Sequence, residues 1–315
     1  MKMSNLRVIF MGTPDFAVPC LDMLVAEQYN VVAVVSQPDR PKGRGQKLAQ
    51  SPVKQAALTY GLPVLQPNKV RECDFQEELA LLKPDLIVVV AFGQLLPKVL
   101  LDLPPLGCIN VHASLLPYYR GAAPIHWAVM KGEGVTGVTT MYMDVGMDTG
   151  DMILKAEVPI EEQDTTGMLH DRLKEEGAKL LSDTIRLIAA KQAKPTLQDA
   201  EKATYAPMLH REIEIMDWQQ SATDIHNLVR GLNPWPGAYC IYQEKPLKTW
   251  QTKVYDKNEI TTTPGKVCKI TGDGFVVETG QGTIELLEVQ PANKRRMSAK
   301  DFVCGYGVRI GDILG

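Results

Sequence analysis

The sequence predicts an α/β protein with a Rossmann-like parallel sheet in its first part and an OB-like β-barrel in its last part. Up to about residue 190, apolar β-branched runs alternate with helix-like segments, and after Asn233 short β runs separated by turn signals follow one another. The 315 residues are long for one domain and sufficient for two. We therefore expect a first domain over 1–190, a linker over 191–210 and a second domain over 211–315.

The predicted strands of the first domain are short apolar runs bounded by glycine, proline or polar residues. The run 85–91 (DLIVVVA) is almost continuously β-branched, which is typical of a central parallel strand buried on both faces. The other predicted strands cover residues 7–11, 31–35, 108–111, 137–143 and 151–158.

The predicted helices of the first domain follow from capping residues and apolar spacing. We expect Asp15 to cap a helix over 16–24 and Ser51, followed by a proline, to cap a helix over 52–61. Apolar residues at helical spacing predict a long helix over 166–190. Alternation of strands and helices predicts parallel strand pairing.

The second domain begins with a predicted helix over 221–231. Short β runs then recur at regular spacing, with Gly-Asp-Gly and Gly-Gln-Gly marking tight turns, which is the pattern of a small barrel. These runs cover residues 238–242, 249–255, 266–270, 275–278 and 283–289.

Composition excludes several classes of protein. Hydrophobic residues make up 45% and charged residues 23% of the chain, which argues against disordered, collagenous and disulfide-scaffold proteins. A formal net charge of −3 excludes nucleic-acid binding by bulk charge alone, although local patches remain possible. The longest apolar run, 86–92, is far shorter than the ~20 residues of a membrane helix. The N-terminus does not resemble a signal peptide, so we expect a cytoplasmic protein without membrane contact.

Neither a metal site nor a familiar nucleotide site is indicated. The six cysteines form no Cys-x-x-Cys pair, the chain has no His-Glu-x-x-His motif, and most thiols are expected to be buried and reduced. The first strand-to-helix turn, 12–16, has one glycine where a dinucleotide site needs G-x-G-x-x-G. The glycine-rich segment 43–47 lacks the P-loop pattern. These departures argue against NAD and ATP.

The segment 107–151 contains the residues with the clearest chemical potential. Asn110 and His112 are two apart on a predicted strand, so their side chains share a face at its carboxyl end, where open α/β sheets bind ligands. An amide beside an imidazole can donate hydrogen bonds to a developing oxyanion. Asp148, in the glycine-flanked loop 146–150, is the best candidate for an acid that orients the imidazole. On spacing alone, His112 could equally end a strand and Asp148 could simply shape a turn.

A basic island lies between the second predicted strand and the second predicted helix. It spans residues 37–54 and contains one acid, Asp39, against five bases: Arg40, Lys42, Arg44, Lys47 and Lys54. A solvated surface loop is the ordinary interpretation. The alternative is a nucleic-acid contact, because the segment is unusually long for a loop in a compact domain and arginine can both contact phosphates and stack on bases.

Two long motifs are NVHASLLPYYRGAAPIHWA, from Asn110, and MDVGMDTGD, from Met143. Four further motifs are FMGTPDFAVPCL, QPDRPKGRGQKL, VVVAFGQLLP and NPWPGAY. In these motifs, which extend over essentially the whole chain, the sequence resembles the methionyl-tRNA branch of the 10-formyltetrahydrofolate-dependent formyltransferases. The resemblance implies transfer of a formyl group from 10-formyltetrahydrofolate to the α-amine of initiator methionyl-tRNA. It implies no metal and no obligate protein partner.

The resemblance also implies roles for individual residues. The catalytic set is Asn110, His112 and Asp148. The predicted folate contacts are Ser114, Leu115, Leu116, Pro117, Phe92 and Gly93. The predicted tRNA contacts are Arg44, Lys42, Lys47 and Arg40, and the cluster Lys294, Arg295, Arg296 and Lys300 belongs to a second tRNA surface on the barrel. Relatives usually have a lysine where this chain has Met208, which puts a tRNA contact at that position in doubt.

Two other functions remain compatible with parts of this pattern. A sugar-amine or other small-amine formyltransferase would share the catalytic residues, and the basic segment 37–54 argues against it. A folate-binding or RNA-binding protein without activity would not need the set Asn110, His112 and Asp148.

Overall fold

The computed structural model describes residues 5–42, 47–259 and 262–315. The chain divides into two compact units, and each is described by itself. The first unit consists of Met1–Pro124, Val135–Pro159 and His170–Ala206. The second unit consists of Ile125–Gly134, Ile160–Leu169 and Pro207–Gly315.

The helices and strands are numbered in chain order. In the described residues the α-helices are α1 (Val18–Ala26), α2 (Pro52–Thr59), α3 (Cys73–Leu81), α4 (Lys98–Leu101), α5 (Pro124–Met130), α6 (Thr166–Ala189), α7 (Ala222–Gly231) and α8 (Ala299–Tyr306). Up to residue 206 the strands are β1 (Arg7–Gly12), β2 (Asn30–Val35), β3 (Arg40–Lys42), β4 (Lys47–Ala49), β5 (Val64–Leu65), β6 (Leu86–Val90), β7 (Cys108–His112), β8 (Arg120–Gly121), β9 (Val135–Tyr142), β10 (Met152–Pro159) and β11 (Tyr205–Ala206). The later strands are β12 (Tyr239–Tyr242), β13 (Lys245–Asp256), β14 (Val267–Ile270), β15 (Phe275–Glu278), β16 (Thr283–Pro291) and β17 (Met297–Ser298).

The first unit is built on a seven-stranded sheet with the order β10-β9-β7-β6-β1-β2-β5. The strands from β7 to β5 pair in parallel, and β9 runs antiparallel to both β7 and β10. The predicted parallel α/β sheet is therefore confirmed. From β1 the chain builds outward through β2 and β5 on one side and through β6 and β7 on the other. The carboxyl ends of β1 and β6 form a topological switch point, where sheets of this type bind ligands.

The buried strands of this sheet have the composition that the sequence analysis associates with a central position. All five residues of β6 (LIVVV) are buried, as expected for a strand covered on both faces. Side chains from β1 and β6, including Ile9, Met11, Ile87 and Val89, form part of one apolar core. This packing fixes the strand ends from which the polar residues of the site project.

One predicted helix start is confirmed and one is wrong. Ser51 caps α2 by accepting a hydrogen bond from the Lys54 backbone N–H at 3.1 Å. Asp15 does not cap a helix; it is the first residue of a short 3-10 helix, Asp15–Ala17, that precedes α1. The Ala17 N–H, which a cap at Asp15 would accept, donates instead to the Pro14 carbonyl at 3.1 Å, and Asp15 places its charge in the first turn of the 3-10 helix.

The second unit contains an antiparallel sheet with the order β12-β13-β16-β15-β14, and β17 pairs with β16. The strand β13 has 12 residues and continues through bulges, which bend strands and increase their twist. This curled sheet agrees with the predicted OB-like class. The helix α8, capped by Ser298, was not predicted, and its Phe302 is buried in the same core as Phe275 of β15.

Within the second unit, the helix α7 holds the segment 160–169 through hydrogen bonds from two of its side chains. His226 on α7 contacts the Thr252 hydroxyl at 2.9 Å and the Glu162 carbonyl at 3.3 Å through its two ring nitrogens. Arg230, also buried, donates to the Asp164 carbonyl at 3.3 Å. Burial lowers the pKa of His226, so the folded protein favours the neutral ring.

We predict that acidification destabilises the second unit through His226. The pKa of His226 is lower in the folded than in the unfolded protein. The neutral ring therefore makes its full contribution to the free energy of unfolding above about pH 6.5, and this contribution is lost as the pH falls toward the folded pKa. All four tryptophans (Trp127, Trp218, Trp235 and Trp250) belong to this unit, so denaturant unfolding followed by tryptophan fluorescence reports on it.

His226→Gln should flatten the dependence of the free energy of unfolding on pH. His210→Gln, at an exposed position in the same unit, is the matched control and should leave the dependence as in wild type. Equal flattening by both variants would show that His226 is not the responsible group.

Candidate active site

The loops at the switch point are tied together by hydrogen bonds to one carbonyl. The Phe92 carbonyl, just after β6, accepts from the Thr13 hydroxyl at 3.1 Å and from the Gln37 side-chain amide at 3.3 Å. Thr13 follows β1 and Gln37 follows β2, and the Gln37 backbone N–H donates to the Thr13 hydroxyl at 3.3 Å. The carboxyl ends of three neighbouring strands are thereby held in one arrangement.

A cavity of about 450 Å³ opens at this edge of the sheet. Its volume lies within the range of ~300–1,000 Å³ that is usual for small-molecule sites. Phe92 and Gly93, which were predicted to contact folate, line it together with Arg40, which was predicted to contact tRNA. The structure therefore brings parts of both predicted substrate-binding sets to one cavity.

The structure also brings together the three predicted catalytic residues. The Asn110 side-chain amide lies 3.5 Å from Asp148 Oδ1, and His112 Nδ1 lies 3.7 Å from Asp148 Oδ2. Asn110 and His112 project from the same face of β7, as their spacing predicts. The side-chain NH2 group of Asn110 has two hydrogens, so it can point one at Asp148 and keep the other for a ligand.

The position of the Asp148 carboxylate is fixed by its loop. Asp148 has a left-handed backbone with φ of +54°, which is uncommon for a residue other than glycine. Its Oδ2 accepts the Gly121 backbone N–H at 2.9 Å. Gly150 allows the loop to close, because a Cβ at that position would lie 1.9 Å from the Tyr142 carbonyl oxygen. The Asp144 carboxylate braces the other end by accepting from the Thr149 hydroxyl at 2.6 Å.

His112 faces an oxygen at each ring nitrogen. Its Nε2 lies 3.0 Å from the Tyr119 carbonyl, opposite the side that faces Asp148. Tyr119 also has a left-handed backbone, with φ of +58°, and its N–H donates to the Thr204 hydroxyl at 2.8 Å. A protonated His112 would therefore have an acceptor on both sides, which suits a residue that supplies positive charge.

The turn 114–117, predicted to contact folate, makes several hydrogen bonds within the protein. The Ser114 hydroxyl donates to the Tyr118 carbonyl at 2.6 Å, and the Leu116 backbone N–H donates to Thr139 at 3.1 Å. Lys155 donates to the Leu116 carbonyl. These contacts hold the turn that leads from His112 to Tyr119. Direct contact of Ser114, Leu115, Leu116 and Pro117 with folate stays a prediction.

The basic island contains a β-hairpin. Strands β3 and β4 pair antiparallel, with Arg40 opposite Ala49. Lys54 is paired within the protein, since its ammonium lies 2.7 Å from the Asp39 carboxylate, and this hydrogen bond lowers the pKa of Asp39. Arg40 is exposed at the cavity. Arg44 and the side chains of Lys42 and Lys47 lie outside the described residues.

The cysteines show no sign of catalytic activation. Burial raises the pKa of Cys108 and of Cys240 to about 12, so both remain protonated thiols. Three of the six cysteines (Cys20, Cys108 and Cys240) are buried, whereas Cys73 and Cys304 are exposed, so fewer thiols are buried than predicted. Within the described residues no group of three or more potential metal ligands occurs, and no helix there is long and apolar enough to cross a membrane.

Comparison with known proteins identifies the family. Residues 5–185 match the formyl transferase model and residues 208–307 match the model of the formyl transferase C-terminal domain. The methionyl-tRNA formyltransferase of Bacillus subtilis is 53% identical over 310 residues, which cover 98% of each chain. The chain belongs to the methionyl-tRNA formyltransferase family. The enzyme of the same name from Acetivibrio thermocellus is 50% identical over 98% of this chain and all of that relative.

Solved structures agree with the fold. The N-formyltransferase of Helicobacter canadensis, in complex with folinic acid and dTDP-3-aminofucose, superimposes with a TM-score of 0.69 at 20% identity, over 90% of this chain and 99% of that one. HypX from Aquifex aeolicus, in complex with tetrahydrofolic acid, gives a TM-score of 0.64 at 17% identity, over 98% of this chain and 48% of that one. At these identities the likeness concerns the fold alone.

Sequence reasoning missed the residues that hold the site from behind. Buried Arg120 donates to the Gln198 side chain, and Gln198 donates to the backbone of the Asp148 loop. Gln198 lies in the segment predicted to be a linker, which has little periodicity and so gives no signal of a buried contact. Gly121, which follows Arg120 and has φ of +119°, is a local sequence signal of a special backbone position.

We predict that Gly150→Ala destabilises the first unit by about 1–3 kcal/mol, because the added methyl group would collide with the Tyr142 carbonyl. Differential scanning calorimetry measures the loss. Gly134→Ala is the control, since a Cβ there meets nothing within 4 Å. Equal melting temperatures for the Gly150→Ala protein and wild type would contradict the tight closure of this loop.

Proposed function

We propose that this chain transfers the formyl group of 10-formyltetrahydrofolate to the α-amino group of initiator methionyl-tRNA, with Asn110, His112 and Asp148 as its catalytic residues. The observation that carries the proposal is the convergence of these three polar side chains beside the switch point of the sheet. Whole-chain identity of 47–53% to methionyl-tRNA formyltransferases supports this substrate over a sugar amine. The product, formylmethionyl-tRNA, serves translation initiation.

The residues near the cavity fit a folate substrate. A pteridine needs a slot that is mostly apolar, with a few polar groups to orient it. Phe92, Gly93 and several prolines supply apolar lining, and Thr13 and Gln37 supply polar groups. We assign Phe92 and Gly93 to the formyl donor, together with the turn 114–117, which follows directly from His112.

The chemistry is a direct transfer. The methionine α-amine attacks the formyl carbon, and the carbonyl oxygen becomes a tetrahedral oxyanion. Asn110 donates a hydrogen bond to that oxyanion, and His112, held by Asp148, adds a second donor or positive charge beside it. The C–N10 bond then breaks, and the proton lost by the amine is passed to N10. The formyl group passes directly from N10 to the amine, so no covalent enzyme intermediate is needed.

Asp148 organises the two donors. Its carboxylate lies within 3.7 Å of both side chains, so it aligns the Asn110 amide and the His112 ring. The Gly121 N–H holds the same carboxylate at 2.9 Å. An acid fixed in this way orients the donors before the substrate arrives, which is the condition for effective oxyanion stabilisation.

The tRNA is held by basic residues of each unit. In the first unit we assign this role to Arg40, Lys42, Arg44 and Lys47 of the basic island. In the second unit Lys294, Arg295 and Arg296 are exposed, and the Arg296 guanidinium lies 3.5 Å from the centre of the Trp250 ring. Stacking on Trp250 presents Arg296 as a flat cation, which suits phosphate or base contacts. Met208 is exposed and offers no charge.

Because its tRNA substrate is produced and used where proteins are made, we place the enzyme in the cytoplasm. This placement follows from the proposed substrate, and it adds no requirement for a membrane or for a protein partner.

We predict that Asn110→Ala and His112→Ala each lower kcat by at least about 10²-fold, because each removes a group that stabilises the oxyanion. The double variant should lose far less than the product of the two factors, since the pair acts as a unit. Formylation of methionyl-tRNA is measured, and folding is checked by circular dichroism. Asn258→Ala, at an exposed position, serves as the control. Near-wild-type activity of Asn110→Ala would remove this residue from the mechanism.

We predict that Arg44→Ala lowers kcat/KM for methionyl-tRNA while leaving the KM for 10-formyltetrahydrofolate unchanged. Arg44→Lys should restore the activity only in part, because a point charge neither forks nor stacks. Arg71→Ala, an exposed arginine outside the hairpin, is the matched control. A parallel rise in the KM for the folate would assign the hairpin to the folate pocket.

A further inference from the structure

The side chain of Gln198 makes four hydrogen bonds beside the proposed active site. Its Nε2 donates to the Asp148 carbonyl at 2.8 Å and to the Gly150 carbonyl at 2.8 Å. Its Oε1 accepts from Arg120 Nε at 3.0 Å and from Arg120 Nη2 at 2.7 Å. A glutamine amide offers two hydrogens and two lone pairs, so these contacts use all of its hydrogen-bonding capacity.

Gln198 forms a hydrogen-bonded bridge between Arg120 and the Asp148 loop, and Arg120 is held in place by its own contacts. Arg120 is 5% exposed, and its backbone N–H donates to the Thr204 carbonyl at 2.9 Å. Its backbone pairs in parallel with β11, the strand Tyr205–Ala206. Gly121, which follows it, donates its N–H to the Asp148 carboxylate. Arg120 and Gly121 therefore hold Asp148 from two directions, one through Gln198 and one directly.

The Gln198 end is anchored as well. Two residues earlier, Thr196 and Met152 exchange backbone hydrogen bonds of 2.8 and 2.9 Å, which attach the segment to the start of β10. Farther along, the Ala206 carbonyl accepts from the Ala122 N–H at 2.9 Å. The segment 196–206 thus runs along the back of the site, fastened at both ends, with Gln198 directed at the Asp148 loop.

We infer that Gln198 is a positioning residue for formyl transfer, which it serves by holding Asp148, through its backbone, in the conformation that points the carboxylate at Asn110 and His112. This inference rests on the proposed function. A left-handed backbone at a residue other than glycine is strained and persists where its surroundings enforce it. The two hydrogen bonds from Gln198 reach the carbonyls of Asp148 and Gly150, so they hold the backbone of Asp148 and of the two residues that follow it.

Gln198→Glu is the most informative variant. It keeps the shape of the side chain and can still accept from Arg120, but it replaces the two donated hydrogens with an oxygen that repels the Asp148 and Gly150 carbonyls. Gln198→Ala removes the bridge without adding charge and serves if the glutamate variant does not fold. The matched control is Gln192→Glu, the same chemical change at an exposed position of the same unit.

The experiment is single-turnover formylation of methionyl-tRNA by the full-length chain, with 10-formyltetrahydrofolate at saturation. We expect both Gln198 variants to lower the transfer rate by about 10²-fold, the cost typical of a small misplacement of catalytic groups. The concentrations of tRNA and folate that give half-maximal rate should stay within a small factor of wild type. Gln192→Glu should behave as wild type.

A double-mutant cycle separates positioning from general stability. If Gln198 acts through Asp148, adding Gln198→Glu to the Asp148→Asn enzyme should slow it little further. If Gln198 only stabilises the fold, the two losses should multiply, and that result would overturn the inference. Without substrates, hydrogen exchange in residues 143–151 should be faster in Gln198→Ala than in wild type, while exchange in β2 should not change.

Different experimental results would overturn the inference and the proposed function. An inactive wild-type chain would overturn the proposed function and, with it, the role given to Gln198. An active wild type with an impaired Asp148→Asn variant and fully active Gln198 variants would leave the proposed function standing and overturn only the inference.

Discussion

The proposed active site depends on one backbone conformation, the left-handed turn at Asp148. With φ of +54°, this residue directs its carboxylate toward Asn110, His112 and the Gly121 N–H. Such a conformation is unfavourable for a residue with a Cβ, so its neighbours must enforce it. Gly150 permits the close approach of the chain to the Tyr142 carbonyl. Gln198 donates hydrogen bonds to the carbonyls of Asp148 and Gly150, on either side of Thr149. The charge that aligns both donors is therefore placed by backbone geometry.

The parallel sheet supplies the other half of the arrangement. Asn110 and His112 share a face because they are two residues apart on β7, and β7 pairs with the fully buried β6. The antiparallel strand β9 on the other side of β7 leads through Tyr142 into the Asp148 loop. Rigid, buried strands thus carry the donors and deliver the loop to the same edge, where the Phe92 carbonyl ties three further loops together.

Much of the fold and of the candidate site could be predicted from the sequence. The remaining contacts could not, for physical reasons. Strand periodicity predicts the shared face of Asn110 and His112, and flanking glycines mark the loop of Asp148. Hydrogen bonds between distant segments leave no periodic signal, so the 2.8 Å contact from Gln198 to the Asp148 carbonyl was not predicted. Asp15 was misassigned as a cap because its type suits that role, whereas the Ala17 N–H that such a cap would accept donates to the Pro14 carbonyl.

The lack of an activated nucleophile in the site explains why positioning matters so much. Cys108, on the same strand as Asn110, keeps its proton because burial raises its pKa to about 12, and the Ser114 hydroxyl donates to the Tyr118 carbonyl. Neither group is prepared to attack a substrate. In the proposed mechanism the rate acceleration comes from oriented dipoles and charge, whose effect falls quickly when they are displaced. A second layer of residues such as Arg120 and Gln198 is what such a mechanism requires.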